Sequence, residues 1–77
     1  MKINEFIEEL KETLELENVE INESTILKDL EEYDSLSVLA IIALVDENFG
    51  KKLSGKDFQS ITTVKSLIKL IGEKRFE

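Results

Sequence analysis

The residues best suited to chemistry in this chain are Asp34, Ser35 and Leu36, which stand where a polar stretch gives way to an apolar helical pattern. A serine hydroxyl can be esterified, and the free amides and dipole at the start of a helix favour a phosphate group. A simpler interpretation is that Ser35 caps the helix and that Asp34 only stabilises the positive end of its dipole. The residues alone leave both interpretations open. We expect Ser35 to be an attachment point and not a catalyst.

The composition excludes the common catalytic and metal-binding sets. The chain has no histidine and no cysteine, which removes Ser–His–Asp and Cys–His catalysis, disulfides and the usual zinc ligands. Glu31 and Asp34 could form a carboxylate pair for acid–base catalysis, but they lie in a charged stretch in which nothing evident would adapt a carboxylate to proton transfer. We therefore expect no enzyme activity, no catalytic residue and no metal site.

Acidic residues outnumber basic ones, 17 to 10, and the net charge is −7. This charge repels nucleic acid and anionic lipid and favours a partner with a basic patch, although surplus acid can also serve solubility alone. No apolar run approaches the roughly 20 residues of a membrane span, and no signal peptide is visible. We expect a cytoplasmic, monomeric protein with one domain, residues 1–77.

The first part of the chain combines a helical pattern with a long connection. Apolar residues at helical spacing predict an amphipathic helix over residues 3–16. These residues are Ile3, Phe6, Ile7, Leu10 and Leu14. Residues 17–34 lose this periodicity but keep scattered apolar side chains, which predicts a long loop pinned to the core. Long loops in compact folds are commonly functional, and this one leads to Ser35.

Three further helical segments follow the loop. The second helix is predicted from Ser35 to Phe49, with Gly50 as a left-handed stop. A short helix is predicted from Gly55 to Ser60, and the last helix is predicted to begin near Thr62 or Thr63 and to end at about residues 72–74. The sequence therefore predicts an all-α fold, a small four-helix bundle of three main helices and one short helix, with a long loop between helices one and two.

The second helix carries two apolar stripes, and so small a bundle cannot bury both. One stripe is predicted to face the core: Val38, Ile41, Ile42, Val45 and Phe49. The other is predicted to dock partners and is called the docking face: Leu36, Leu39, Ala40 and Ala43. Its predicted charged rim consists of Glu31, Glu32, Asp46 and Glu47. The alternative is that Leu36 and Leu39 fold under the preceding loop.

A second set of apolar residues has two interpretations. The set could line a cleft that shelters an acyl chain, or it could be an ordinary core, and the ordinary core is the preferred interpretation. Its members are Ile41, Ile42, Leu44, Val45, Ile61 and Ile68.

The chain resembles an acyl carrier protein over nearly its whole length. The resemblance rests on several elements together: the amphipathic first helix, the loop with its Leu27-to-Leu30 segment, the Asp34-to-Leu36 motif, a second helix closing on residues 46–50, and the residues 61–64 that introduce the last helix. No single element is decisive, but the combination is typical of the family.

The resemblance implies that Ser35 carries 4′-phosphopantetheine, transferred from coenzyme A by a phosphopantetheinyl transferase. Asp34 and Leu36 would complete the attachment motif, with Asp34 helping the transferase to bind. Acyl groups would be held as thioesters on the thiol of the arm. The implied partners are the transferase, an acyl-loading ligase or synthase, and acyltransferases with basic or apolar docking patches.

The chain also departs from the common fatty-acid pattern. The Glu31-to-Tyr33 link is one residue longer than usual, and Ser37 and Ala40 replace residues that are typically acidic in fatty-acid carriers. These departures favour a specialised carrier over a housekeeping one. Two alternatives stay open, an aminoacyl carrier such as a D-alanyl carrier and a helical protein-interaction module without a prosthetic group.

Overall fold

The computed structural model describes residues 1–16 and 19–76, which form a bundle with principal extents of 28 × 25 × 19 Å. Three α-helices lie in the described part of the chain: α1 (Ile3–Thr13), α2 (Ser35–Phe49) and α3 (Val64–Ile71). Three short 3₁₀ helices connect or follow them: η1 (Leu27–Asp29), η2 (Gly55–Gln59) and η3 (Glu73–Arg75). None of the described helices combines the length and the hydrophobicity that crossing a bilayer would require.

Helix α1 is shorter than the predicted 3–16 because the chain turns at its end. Leu14 is the C-cap, and Glu15 adopts a left-handed conformation with φ 57°. The Leu16 amide then donates to the Lys11 carbonyl at 2.9 Å, which closes the helix end. Leu14 and Leu16 are nevertheless buried, since the turn directs them into the core. The apolar pattern in the sequence is therefore longer than the helix itself.

The segment between α1 and α2 is not one long irregular loop. Residues 17 and 18 of the predicted loop lie outside the described residues, but the rest is organised by local and tertiary hydrogen bonds. The Ser24 amide donates to Asn22 Oδ1 at 2.8 Å, and the Leu27 amide donates to the Thr62 carbonyl at 2.8 Å. Ile21 and Leu27 are buried. The segment is thus pinned to the core, as expected, and its hydrogen bonds also tie it to the start of α3.

The predicted fourth helix is a 3₁₀ helix and not an α-helix. Element η2 spans five residues, and its first turn is held by the Ser54 amide donating to Asp57 Oδ2 at 2.9 Å. Runs this short are typical of 3₁₀ geometry, which closes each turn with fewer residues than an α-helix. Its one buried side chain, Phe58, anchors the element on the core.

Both ends of α2 and the start of α3 agree with the sequence predictions. Gly50 ends α2 in the left-handed conformation, φ 65°, and its amide donates to the Asp46 carbonyl at 2.9 Å. Thr63 caps α3, and its Oγ1 accepts from the Ser66 amide at 3.1 Å. Helix α3 ends one residue before Gly72.

The core lies between the three α-helices and is closed at one end by aromatic rings. The Phe6 ring meets the rings of Phe49 and Phe76 edge to face, and those two rings are tilted against each other, with centroids 5.0 to 5.9 Å apart in the three pairs. The six residues of the candidate acyl cleft belong to this core or pack against it, and Ile41 and Val45 have no exposed surface. The structure therefore favours the ordinary-core interpretation of that set.

Replacement of Gly50 by alanine is expected to lower the free energy of unfolding by about 1 kcal/mol, because a Cβ is strained at positive φ. Urea unfolding followed by circular dichroism measures the change. Gly55→Ala is the matched control, since Gly55 lacks a positive φ and has open space around a new Cβ. Equal effects of the two substitutions would contradict the role of Gly50.

Candidate functional site

The start of α2 is fixed by a reciprocal cap between Asp34 and Ser37. Asp34 Oδ1 accepts from the Ser37 amide at 2.9 Å, and the Asp34 amide donates to Ser37 Oγ at 2.7 Å. Ser37 Oγ in turn donates to the Asp34 carbonyl at 2.8 Å. Asp34 is therefore the N-cap, and the alternative in which Ser35 caps the helix is wrong. Ser37 is only 8% exposed and is fully engaged in this cap.

Ser35 occupies the first position inside α2 and is exposed. Its hydroxyl forms no hydrogen bond with any residue that the structure describes. The first turn of α2 contains no acidic residue, and its free amides give this end of the helix a partial positive charge. The position combines a free, reachable hydroxyl with an environment that favours an attached anion.

An apolar groove of about 510 Å³ lies beside Ser35 and is called the Ser35 groove. Its lining includes Lys28, Tyr33, Ser35, Val38, Leu39 and Phe58. The groove brings together α2, η1 and η2, which are distant in sequence. The Lys28 ammonium joins the two short helices by donating to the Gln59 carbonyl at 3.2 Å. Sequence reasoning did not identify Lys28, Tyr33 or Phe58, because only the tertiary fold places them together.

The family model for the phosphopantetheine attachment site matches residues 4–71, a range that includes Ser35 and all three α-helices except the first residue of α1. The chain belongs to this family. Its members are carrier domains with a covalently attached 4′-phosphopantetheine; they are modified by phosphopantetheinyl transferases, interact with synthases and are generally not catalytic themselves. No curated protein and no solved structure gives a significant match to the chain.

The residues around Ser35 fit this prosthetic group. Attachment requires an accessible hydroxyl, and the phosphate requires hydrogen-bond donors or positive charge nearby. Ser35 provides the hydroxyl, the first turn of α2 provides free amides, and the positively charged residue Lys28 lines the Ser35 groove. The apolar walls formed by Val38 and Phe58 suit the hydrocarbon portions of the arm.

The docking face of the carrier is largely open to solvent. Leu36 and Leu39 are 75% and 62% exposed, so the alternative in which both fold under the preceding loop is wrong. Ala43 is exposed and Ala40 is half-buried. The predicted rim residues are exposed as well: Glu31, Glu32, Asp46 and Glu47.

A second concavity, here called the acid-lined cleft, lies on the other side of the start of α2. It has a volume of about 350 Å³, and its lining does not include Ser35. Its lining includes Leu14, Glu15, Glu32, Asp34, Leu36 and Ala40. The two concavities therefore differ in charge, with carboxylates in one and an ammonium in the other.

Tyr33 places a buried hydroxyl in the neighbourhood of the attachment position. Its Oη is shielded from solvent and has no hydrogen-bond partner among the described residues. Burial raises the pKa of the Tyr33 hydroxyl above its ordinary value of 10.0, because desolvation disfavours the charged phenolate. A buried polar group without a partner is unusual in a folded protein.

The raised pKa of Tyr33 predicts a loss of stability at alkaline pH. Above about pH 10 the unfolded chain loses the phenolic proton while the folded chain still keeps it. The free energy of unfolding therefore decreases as the pH rises, until the pH passes the raised pKa of the folded state. The chain has one tyrosine and no tryptophan, so the ultraviolet absorbance of tyrosinate reports this group alone. Titration at or below 10.0 in the folded protein would contradict the burial of the hydroxyl.

Proposed function

We propose that this protein is an acyl carrier whose Ser35 holds 4′-phosphopantetheine. The observation that supports the proposal most strongly is the free Ser35 hydroxyl at the first position of α2 in a chain of this family. In the loading reaction, Ser35 Oγ forms a phosphoester with the pantetheine phosphate of coenzyme A. The pyrophosphate bond of coenzyme A breaks, adenosine 3′,5′-bisphosphate leaves, and the hydroxyl proton passes to the transferase or to water.

The neighbouring residues have distinct roles in this proposal. The Asp34–Ser37 cap holds the first turn of α2, so that Ser35 Oγ projects from a rigid position. The positive end of the helix dipole stabilises the phosphodiester charge. Leu36, at the next position, begins the docking face and presents apolar surface beside the attachment site. The attached arm supplies a thiol on which acyl groups are carried as thioesters.

The carrier itself needs no catalytic residue under this proposal. A tether of limited length keeps the acyl group at a high effective concentration for each enzyme that docks. The absence of cysteine from the chain leaves the arm as the single thiol, so no internal thiol competes for the acyl group.

We propose that enzymes of the pathway bind the docking face. Two exposed leucines next to the attachment site form apolar surface that a small monomeric domain has no structural reason to expose. Acidic rim residues before and after this surface suit a partner with basic residues, although each exposed ion pair contributes only about 0–1 kcal/mol. Affinity would therefore depend chiefly on the leucines, and the rim would orient the partner.

A specialised pathway is favoured over housekeeping fatty-acid synthesis. Ser37 and Ala40 stand where fatty-acid carriers typically have acidic side chains, and both are poor sites for an ion pair here. Ser37 is buried in the cap and donates to a carbonyl, which an ionised carboxylate cannot do. Ala40 carries no charge. The cargo in this proposal is an acyl group; loading of the thiol by an adenylating ligase with an amino acid would instead identify an aminoacyl carrier.

Loading of the purified chain is the direct test. After incubation with coenzyme A and a phosphopantetheinyl transferase of broad specificity, intact mass spectrometry is expected to show one phosphopantetheine increment. Ser35→Ala should abolish the increment, because the acceptor oxygen is lost. Ser60→Ala, at another exposed serine, is the control and should load normally. An unmodified wild-type chain would support an interaction module without a prosthetic group.

Substitution on the docking face separates partner binding from folding. Leu39→Asp is expected to reduce acyl transfer to or from the cognate enzyme about tenfold or more, because it places a charge in the centre of an apolar contact. Circular dichroism should remain that of the wild type, since Leu39 is largely exposed. Val19→Asp, at an exposed apolar residue outside α2, is the matched control. Equal transfer by both variants would remove Leu39 from the docking face.

A further inference from the structure

The basic residues of the chain are concentrated after Gly50. Seven of the 10 lysines and arginines, but only three of the 17 acidic residues, follow this position. The net charge of −7 therefore arises before Gly50, and the rest of the chain is positively charged. A partner that the chain as a whole repels can still be attracted by this part.

The fold gathers four of these cations on one exposed surface, here called the basic face: Lys65, Lys69, Lys74 and Arg75. Lys65 and Lys69 lie one turn apart on the outer side of α3. Gly72, with φ 114°, turns the chain between α3 and η3. A concavity of about 490 Å³ lies at this turn, and its lining includes Lys69, Lys74 and Arg75.

The lysines of the basic face have no partner inside the described part of the molecule. Their side chains form no ion pair and no hydrogen bond with any described residue. Arg75 donates from one guanidinium nitrogen to the Phe49 carbonyl at 3.0 Å and keeps its charge. Two carboxylates lie nearby, that of Glu73 in the lining of the concavity and that of Glu23, whose carbonyl accepts from the Lys65 amide. Four cations beside two acids leave the face positive.

The composition of the basic face favours an anionic lipid surface over an acidic protein. Protein interfaces are enriched in arginine and aromatic residues and depleted in lysine. Arginine pairs with a carboxylate in a fixed two-pronged geometry, whereas lysine is a point charge on a flexible stem. Three of the four cations are lysines, and none of the described residues that line the concavity is aromatic. Flexible ammonium groups suit headgroup charges that are spread over a bilayer.

The basic face lies at the end of α2 that is opposite to Ser35. Arg75 contacts Phe49, the last residue of this 15-residue helix, which spans about 20 Å. The Debye length at physiological ionic strength is about 8 Å. Acidic residues near the start of α2, such as Glu31 and Glu32, are therefore screened from a bilayer that contacts the basic face. Each lysine close to an anionic bilayer strengthens binding about fivefold, so four cations are enough for weak, reversible binding.

We propose that the basic face binds the surface of an anionic bilayer as a peripheral contact, without insertion. The distance along α2 keeps Ser35 and the start of the docking face accessible to enzymes while the chain is bound. The basic face is present whether or not Ser35 is loaded, so the inference does not depend on the proposed attachment.

Co-sedimentation of the full chain with vesicles tests the binding. The vesicles consist of phosphatidylcholine alone or of phosphatidylcholine and phosphatidylglycerol in equal parts. Binding is expected only to the vesicles with phosphatidylglycerol, and it should weaken as salt is added. Absence of binding, or equal binding to both kinds of vesicle, would overturn the inference.

Matched lysine substitutions test the basic face itself. Lys69→Gln is expected to reduce the affinity for phosphatidylglycerol vesicles about fivefold. Lys56→Gln changes the net charge equally at an exposed lysine of η2, which borders the Ser35 groove at the other end of α2, and should bind like the wild type. Equal weakening by the two variants would mean that net charge alone matters and would overturn the assignment.

Paramagnetic lipids locate the contact. With a nitroxide on some of the headgroups, amide signals of Lys65, Lys69 and Lys74 are expected to broaden, and those of Leu36 and Leu39 are not. Broadening centred on the two leucines would show that the docking face contacts the bilayer, which would overturn the inference. A chain that ignores the vesicles but binds poly-L-glutamate through the same lysines would identify an acidic protein as the partner and would also overturn it.

Discussion

The reciprocal cap between Asp34 and Ser37 is the interaction on which the functional part of the molecule depends. It satisfies amides at the start of α2 and defines the first residue of that helix. A cap of this type contributes about 0.5–2 kcal/mol to stability. The cap also matters for function, because it engages the hydroxyl of Ser37 and leaves that of Ser35 free. Two serines that are close in sequence thereby acquire different chemistry, one structural and one available for esterification.

The residue at which α2 begins also determines which of its side chains face the core and which face solvent. With α2 beginning at Ser35, Ile41 and Val45 turn into the core, while Leu36 and Leu39 turn outward. The acid-lined cleft and the Ser35 groove then flank the attachment position with opposite charge. Leu39 belongs both to the docking face and to the lining of the Ser35 groove, so the attachment position and the proposed partner surface are continuous.

Local signals in the sequence predicted the elements whose ends are marked by special residues. Asp34 and Gly50 delimit α2, and Thr63 marks the start of α3, so these bounds agree with the structure. Helix α1 was predicted too long because Leu14, the last residue of the apolar pattern, is the C-cap and is buried at the turn that ends the helix. The Ser35 groove could not be predicted, since Lys28, Tyr33 and Phe58 meet only through packing of η1 and η2 against α2. The exposure of Leu36 and Leu39 was predicted from the second apolar stripe, but the alternative that both fold under the preceding segment could be excluded only from the path of that segment in the structure.

The difference between Ser35 and Ser37 is the central claim, and the position of the phosphoester in the loaded wild-type chain tests it most directly. Tandem mass spectrometry that cleaves the backbone between residues 35 and 37 locates the modification without any substitution that could disturb the cap. The phosphopantetheine is predicted on Ser35 alone. Its presence on Ser37 would contradict the claim, because that hydroxyl would then be free and the cap would not form as the structure shows.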